Sequence, residues 1–263
     1  MTARFAGRVA VVTGGGAGIG EAIVLRLVEE GARVAFCDRD AGAGESLAHI
    51  LGDAGWFQQL DVADAGALTR FIDYAAAWGG GLDILCSNAG MSGRGTTEET
   101  DLDTWRAVMA VNVESVFVGA RAALPHLARS KHGAIVNTAS TAGLGGYAGM
   151  AAYSTSKGAV VNYTRSLALD CAPRGIRVNA VAPGLVETAM TEVHRSDPDR
   201  RARMLASIPL ARAAAASEIA AAVAFLASDD ASYVTGMILA VDGGTTAAVR
   251  PGISGNGEVQ NPG

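Results

Sequence analysis

Arg8-Val9-Ala10-Val11-Val12-Thr13-Gly14-Gly15-Gly16-Ala17-Gly18-Ile19-Gly20 is the stretch on which the fold turns. Its first six residues are an apolar, β-branched run of strand length. The glycines at 14, 15, 16, 18 and 20 follow at once, and a helical pattern opens behind them with Ile19, Ile23, Leu27 and Val28 on its apolar side. Strand, glycine-rich turn and helix form the local context of a dinucleotide site. Glycine lets the main chain turn tightly and come close to a pyrophosphate. The helix start offers that anion unpaired N–H groups and a positive dipole end. Glycine also makes ordinary turns, so the position directly behind the first strand is what gives the cluster meaning.

Outward from that turn, the next strand, Arg33-Val34-Ala35-Phe36-Cys37, ends at Asp38, eighteen positions past Gly20. At about twenty positions a carboxylate accepts hydrogen bonds from an adenosine ribose. The same carboxylate repels a 2′-phosphate, so Asp38 points to NAD rather than NADP. The plainer alternative is a loop aspartate capping the next helix. Arg39 could accommodate the phosphate, but beside Asp38 it is expected to cover the adenine face instead.

Further strands are expected at Trp56–Leu60, Ile84–Ser87, Ala134–Thr138, Arg177–Ala182 and Met237–Val241. Helices fall between them, near Ala65–Trp78, Leu102–Ala128, Ala151–Cys171 and Glu218–Ala227. Strands alternating with helices imply βαβ units and a parallel sheet, and right-handed crossovers put helices on both faces. The expected fold class is α/β: a single doubly wound Rossmann-type domain, a seven-stranded parallel sheet with helices on both faces. Gly14, Asp38, Asn88, Ser140 and Pro183 each follow a strand. That gathers them at one rim, the carboxyl ends of the strands, where such sheets bind ligands. Residues 1–249 are read as one NAD-binding and catalytic domain, with a mobile helical lid over 185–212. The glycine- and proline-rich 250–263 is read as a flexible tail.

Tyr153 and Lys157 stand four positions apart, and Ser140 precedes the tyrosine by thirteen. Positions i and i+4 share a helix face, so an ammonium can lie beside a phenol. A tyrosine is protonated at neutral pH, with a free pKa of about 10, and a lowering of three units takes roughly 4 kcal/mol. A nearby cation favours the phenolate, and a tyrosine so tuned can take a proton from an alcohol or return one to a ketone. Ser140 could hydrogen-bond the same substrate oxygen. Taken alone, Tyr-x-x-x-Lys is an ordinary amphipathic face; the glycine turn at the front of the chain changes its meaning.

Together these motifs resemble the short-chain dehydrogenase/reductase family, from about Gly7 to Gly244. The family's glycine motif is matched by Thr13, Gly14, Gly18 and Gly20, with Ile19 inside it. Its Asn-Ala-Gly turn falls on Asn88-Ala89-Gly90, and its asparagine on Asn112. Ser140, Tyr153 and Lys157 complete a catalytic tetrad with Asn112. Asp61-Val62 occupies the place where such proteins hold the adenine ring. Pro183-Gly184, Val186 and Thr188 follow at the family's nicotinamide spacing, and Val241-Asp242-Gly243-Gly244 ends the last strand. The resemblance implies reversible NAD-dependent oxidation of a secondary alcohol to a ketone. In it Tyr153 is the acid/base, Lys157 holds the nicotinamide ribose, Ser140 orients the reacting oxygen and Asn112 keeps a relay water. Each match has a plainer reading alone: Asn88-Ala89-Gly90 and Pro183-Gly184 as turns, Asp61 and Thr188 as helix caps.

The runner-up is an NADPH-dependent carbonyl or 3-oxoacyl thioester reductase, against which stand Asp38 and the lack of a basic residue between Gly14 and Gly20. A nucleotide-sensing protein without turnover is the non-enzymatic alternative. The pocket residues read from the sequence, Met91, Ala142, Leu144, Tyr147, Met150, Met190 and Val193, are mostly apolar. They suggest an apolar or cyclic alcohol or ketone as the small-molecule substrate.

The chain's 263 residues are 49% hydrophobic and 18% charged, ample for one large core. A net charge of −5 gives no basic nucleic-acid face. Arg195, Arg200, Arg201 and Arg203 are interleaved with Asp197 and Asp199, which reads as a solvated helix face or, more weakly, a dock for an anionic acyl carrier or a coenzyme A thioester. Cys37, Cys86 and Cys171 have no metal-type spacing, and no metal is expected. No secretory stretch opens the chain, and no run is expected to cross a bilayer. A cytoplasmic homo-oligomer, tetramer or dimer, is the resulting expectation.

Overall fold

The computed structural model describes residues 3–188 and 198–247. Met190, Val193, part of the expected lid and the expected tail at 250–263 lie outside the described residues. The strands are β1 (Val9–Thr13), β2 (Arg33–Asp38), β3 (Gly55–Gln59), β4 (Ile84–Ser87), β5 (Ala134–Thr138), β6 (Arg177–Pro183) and β7 (Ile238–Val241). They pair in the order β3-β2-β1-β4-β5-β6-β7, every neighbour parallel. The strand order reverses between β1 and β4, the switch point where doubly wound sheets open a crevice.

Each strand sends alternate side chains to opposite faces. Val9 and Val11 of β1 enter one core cluster with Leu68, Phe71, Ile72, Leu85 and Ile135. Ala10 and Val12 enter the other with Ile23, Leu27, Val34, Phe36 and Ile219. One face is covered by α3 (Ala65–Gly79), α5 (Ser115–Leu127) and α6 (Ala151–Cys171), the other by α1 (Gly18–Glu29), α2 (Ala41–Leu51) and α8 (Ala216–Ala227). Helices α2 and α3 start at Asp40 and Asp64, whose side chains accept from Ala43 N (3.1 Å) and Ala67 N (2.9 Å). Such caps satisfy backbone donors that the helix cannot.

The expected helix at 102–128 is interrupted in kind but not in course. α4 (Leu102–Met109) runs into a π-helical turn, Ala110–Glu114, and on into α5. A wide turn of this sort is rare and recurs at functional sites; Asn112 stands in its middle, fully buried. Read as one helix, Leu102–Leu127 has the length and composition of a bilayer span, contrary to the sequence expectation. Its Val108, Val116, Ala120, Ala123 and Leu127 are buried among the domain's other elements, as in a core helix.

Within the expected lid, α7 (Pro198–Ala206) is helical. The two ends of the segment are tied to each other and to the turn after β7. Val186 bridges to Ala214, with Ala214 N donating to Leu185 O at 2.9 Å, and Leu210 N donates to Gly243 O at 3.1 Å.

Candidate active site

The glycine turn is built by close approach. Gly14 has φ +64°, and a Cβ there would lie 2.8 Å from Ala89 Cα. At Gly20 a Cβ would fall 1.8 Å from the Gly14 carbonyl oxygen, an impossible overlap. Gly18 (φ +60°) opens α1 and faces Thr188, whose methyl would be 3.3 Å from a Cβ. Ala17 at the N-cap offers no side-chain acceptor, so the first N–H groups of α1 are left for another partner. Asp38 ends β2 with one carboxylate oxygen on Gly16 N (3.0 Å) and the other on Asp40 N (3.1 Å). It therefore stands over the turn and caps no helix; Asp40 has that task.

Asn88 ties the turn to the rest of the rim. Its amide donates to Gly14 O (3.0 Å) and Thr13 O (3.3 Å), while its main-chain N donates to Thr13 Oγ1 (3.0 Å). Thr138 Oγ1 donates to Asn88 Oδ1 at 3.3 Å, and Thr138 O accepts from Lys157 Nζ at 2.8 Å. One hydrogen-bonded path therefore runs from the glycine turn to the lysine. Asp61, with Oδ1 on Ala63 N (2.9 Å), and the buried Val62 follow β3 at the same rim. Pro183-Gly184 ends β6 against the last strand, where a Gly184 Cβ would meet Asp242 Cβ at 2.9 Å.

Helix α6 carries both Tyr153 and Lys157, as their spacing requires. Lys157 Nζ lies 5.9 Å from the Tyr153 ring centroid. The ammonium is buried, and burial pulls its pKa from 10.5 down to about 8. Gly90 packs against it, since a Cβ there would be 3.4 Å from Nζ and 3.5 Å from Asn112 Oδ1. Asn112 is fully bonded: Oδ1 accepts from Met91 N (2.8 Å), and Nδ2 donates to Met91 O (3.0 Å) and Ser156 Oγ (2.9 Å). Ser156 Oγ in turn donates to Tyr153 O at 2.7 Å.

Ser140 opens a 3₁₀ turn, Thr141–Gly143, and its Oγ accepts from Ala142 N at 3.1 Å. It also hydrogen-bonds the Tyr153 side chain. This contact opposes a larger effect: burial raises the Tyr153 pKa above its ordinary 10, and the Tyr147 phenol adds to the rise. The expectation that Lys157 draws the tyrosine down is thus corrected. The ammonium is turned to the Thr138 carbonyl, and desolvation of the phenol dominates.

Gly14, Asp38, Asn88, Ser140 and Pro183 stand at or just past the carboxyl ends of β1, β2, β4, β5 and β6. Thr138, Ser156 and Gly143 were not read as site residues. Gly143 is in the tightest contact of the three: its Cβ would lie 2.5 Å from both C and O of Lys157. Nothing in the sequence could signal Thr138, because it holds the lysine through a main-chain carbonyl. A cleft of about 570 Å³ at the opposite rim, lined by Gly7, Asp73, Asp83, His126 and Ser130, is remote from these groups.

A glycine turn at the switch point, a carboxylate over it, and a serine–tyrosine–lysine cluster beside it define a class: α/β oxidoreductases that bind a nicotinamide nucleotide. The comparisons agree. A family model described as enoyl-(acyl carrier protein) reductase matches residues 14–246. The 2-(R)-hydroxypropyl-CoM dehydrogenase of Xanthobacter autotrophicus is 43% identical over 247 residues, covering 91% of this chain and 99% of that one. Meso-2,3-butanediol dehydrogenase of Serratia marcescens is 43% identical, covering 93% and 97%. Cis-4-hydroxycyclohexanecarboxylate dehydrogenase of Sinomonas cyclohexanicum is 44% identical, covering 94% and 100%. The chain belongs to the short-chain dehydrogenase/reductase family. It is an oxidoreductase that interconverts a secondary alcohol and a ketone.

Proposed function

We propose that the protein is an NAD-dependent secondary-alcohol dehydrogenase in which Tyr153 is the acid/base. The observation that carries the cofactor choice is the Asp38 carboxylate held on Gly16 N at 3.0 Å, over the turn that would receive the pyrophosphate. An adenosine ribose fits there as a hydrogen-bond donor, and a 2′-phosphate meets like charge. The residues fit the group: Ala17 leaves the start of α1 without a side-chain cap, and an uncapped helix start suits an anion. Gly14, Gly18, Ile19 and Gly20 would hold the pyrophosphate, Asp38 the adenosine ribose, and Asp61 and Val62 the adenine. Asn88 and Gly90 would line the middle; Pro183, Gly184, Val186 and Thr188 would hold the carboxamide. NAD, when bound, supplies the hydride acceptor and a positively charged ring.

Ser140 would hydrogen-bond the substrate oxygen and Tyr153 would remove its proton. Lys157, still largely an ammonium at neutral pH, would donate to the nicotinamide ribose. Asn112 keeps the Met91 loop and the start of α6 in register. Because burial raises the Tyr153 pKa, oxidation should speed up as pH rises and ketone reduction should slow.

Tyr153→Phe removes the ionisable group and little else. Loss of more than about a hundredfold in kcat, with NADH binding kept, supports the assignment, since general acid–base catalysis contributes about 10²–10⁴-fold. Turnover kept within about tenfold rejects it. Equal kcat/KM with NAD and NADP rejects the reading of Asp38. The half-exposed Phe117 on α5 and the exposed Leu169 on α6 support a homo-oligomer joined through these helices. Buried, unpaired cysteines at 37, 86 and 171 support a reducing, cytoplasmic setting.

A further inference from the structure

The loop between Ser140 and α6 carries a second pair of hydroxyls besides those of Ser140 and Tyr153. Tyr147 Oη lies 3.3 Å from Thr141 Oγ1. Thr141 follows Ser140 directly and is buried, while Tyr147 is 46% exposed. Leu144 and Met150, three positions to either side of Tyr147 in the chain, are apolar, so the two hydroxyls are the polar groups of an otherwise apolar and glycine-rich loop.

At 3.3 Å the contact is long for two hydroxyls, whose usual separation is about 2.7–2.8 Å. With Thr141 as the donor, the phenol keeps its own O–H for something else. Through that contact it is tied to Thr141, the residue directly after Ser140.

We propose that Tyr147, backed by Thr141, is a specificity-determining residue that hydrogen-bonds a second oxygen of the substrate. The preferred substrate is then a secondary alcohol with another hydroxyl or carbonyl group close to the reacting carbon: a diol, a hydroxyketone or a hydroxy acid derivative. This rests on the reading of Ser140 and Tyr153 as the reactive pair. An apolar wall alone separates substrates by size; a positioned hydroxyl also rejects an analogue that lacks the matching oxygen.

The test compares trans-cyclohexane-1,2-diol with cyclohexanol, in the wild type and in Tyr147→Phe, with NAD. The variant keeps the ring, and circular dichroism with NADH fluorescence checks that fold and cofactor binding persist. The wild type should favour the diol in kcat/KM. In Tyr147→Phe the diol-to-cyclohexanol ratio should fall about fivefold or more, mainly through KM, as expected for one lost hydrogen bond. A ratio unchanged within about twofold, or a wild type with no preference for the diol, overturns this inference alone. Failure of the wild type to oxidise either alcohol overturns it together with the reading of the reactive pair.

Discussion

Replacing Gly143 by alanine should disable the site without altering any group assigned to the chemistry. Gly143 N donates to Ser140 O at 2.9 Å, so the residue closes the turn that presents the serine. A Cβ at this position would stand 2.5 Å from the carbonyl carbon and oxygen of Lys157 and 2.9 Å from Gly158 N. All are main-chain atoms of α6, and no side-chain rotation relieves the overlap. Ordinary contact begins at about 3.4 Å, so the turn must retreat by about 0.9 Å (3.4 less 2.5). A misplacement near 1 Å costs about a hundredfold in turnover. Overpacking of this kind costs about 1–3 kcal/mol, which a domain of this size survives. Steady-state kinetics should therefore show kcat down about a hundredfold, with a modestly lower melting temperature. NADH affinity by fluorescence should stay within about threefold, because the glycine turn after β1 is not in this contact. A Gly143→Ala enzyme with kcat within about fivefold of wild type would refute the claim that this backbone contact sets the serine against the tyrosine.

Lys157 should leave a mark on alkaline stability. Its pKa is about 8 folded and near 10.5 unfolded. Below about 8 both states are charged and the burial cost is full; between about 8 and 10.5 the unfolded chain binds more protons, so stability rises with pH by about 3 kcal/mol in total. Denaturant unfolding of Lys157→Met, compared with wild type across that window, should lack this rise, and parallel curves would contradict it. Asp38→Asn should keep the acceptor for Gly16 N yet lose the charge, improving kcat/KM with NADP about tenfold or more, on the scale of a few kcal/mol for close charges; an unchanged NAD-to-NADP ratio would argue that Asp38 is structural.

Much of the rim was legible because period-2 and period-3.6 patterns translate directly into strand ends and helix faces. Gly14, Asp38, Asn88, Ser140 and Pro183 were gathered by that logic alone, and Tyr153 with Lys157 by the i, i+4 rule. Contacts made by the main chain were not legible. The Thr138 carbonyl that receives Lys157 has no side-chain signature, and the Gly143 contact depends on how closely one turn crosses α6. The direction of the Tyr153 pKa was missed for a related reason: the pair spacing is written in the sequence, but the depth of burial is not. The π-helical turn at Ala110–Glu114 was equally hidden inside an unbroken apolar pattern.

That turn also sets a rule for lengths. Val108 and Val116 are both buried, yet they are eight residues apart. At about 100° per residue, an uninterrupted α-helix would put them about 80° out of phase. The extra residue in the wide turn takes up the excess, so a single inward stripe continues through Ala120, Ala123 and Leu127. Removing one residue between Met109 and Ser115 would restore a regular helix with the stripe in phase to about 20° (7 × 100° less 720°) but lose the wide turn in which Asn112 sits; removing two would swing everything beyond it through about a third of a turn. Descendants of this chain can lengthen or shorten the loops around the rim; through this helix they must keep count.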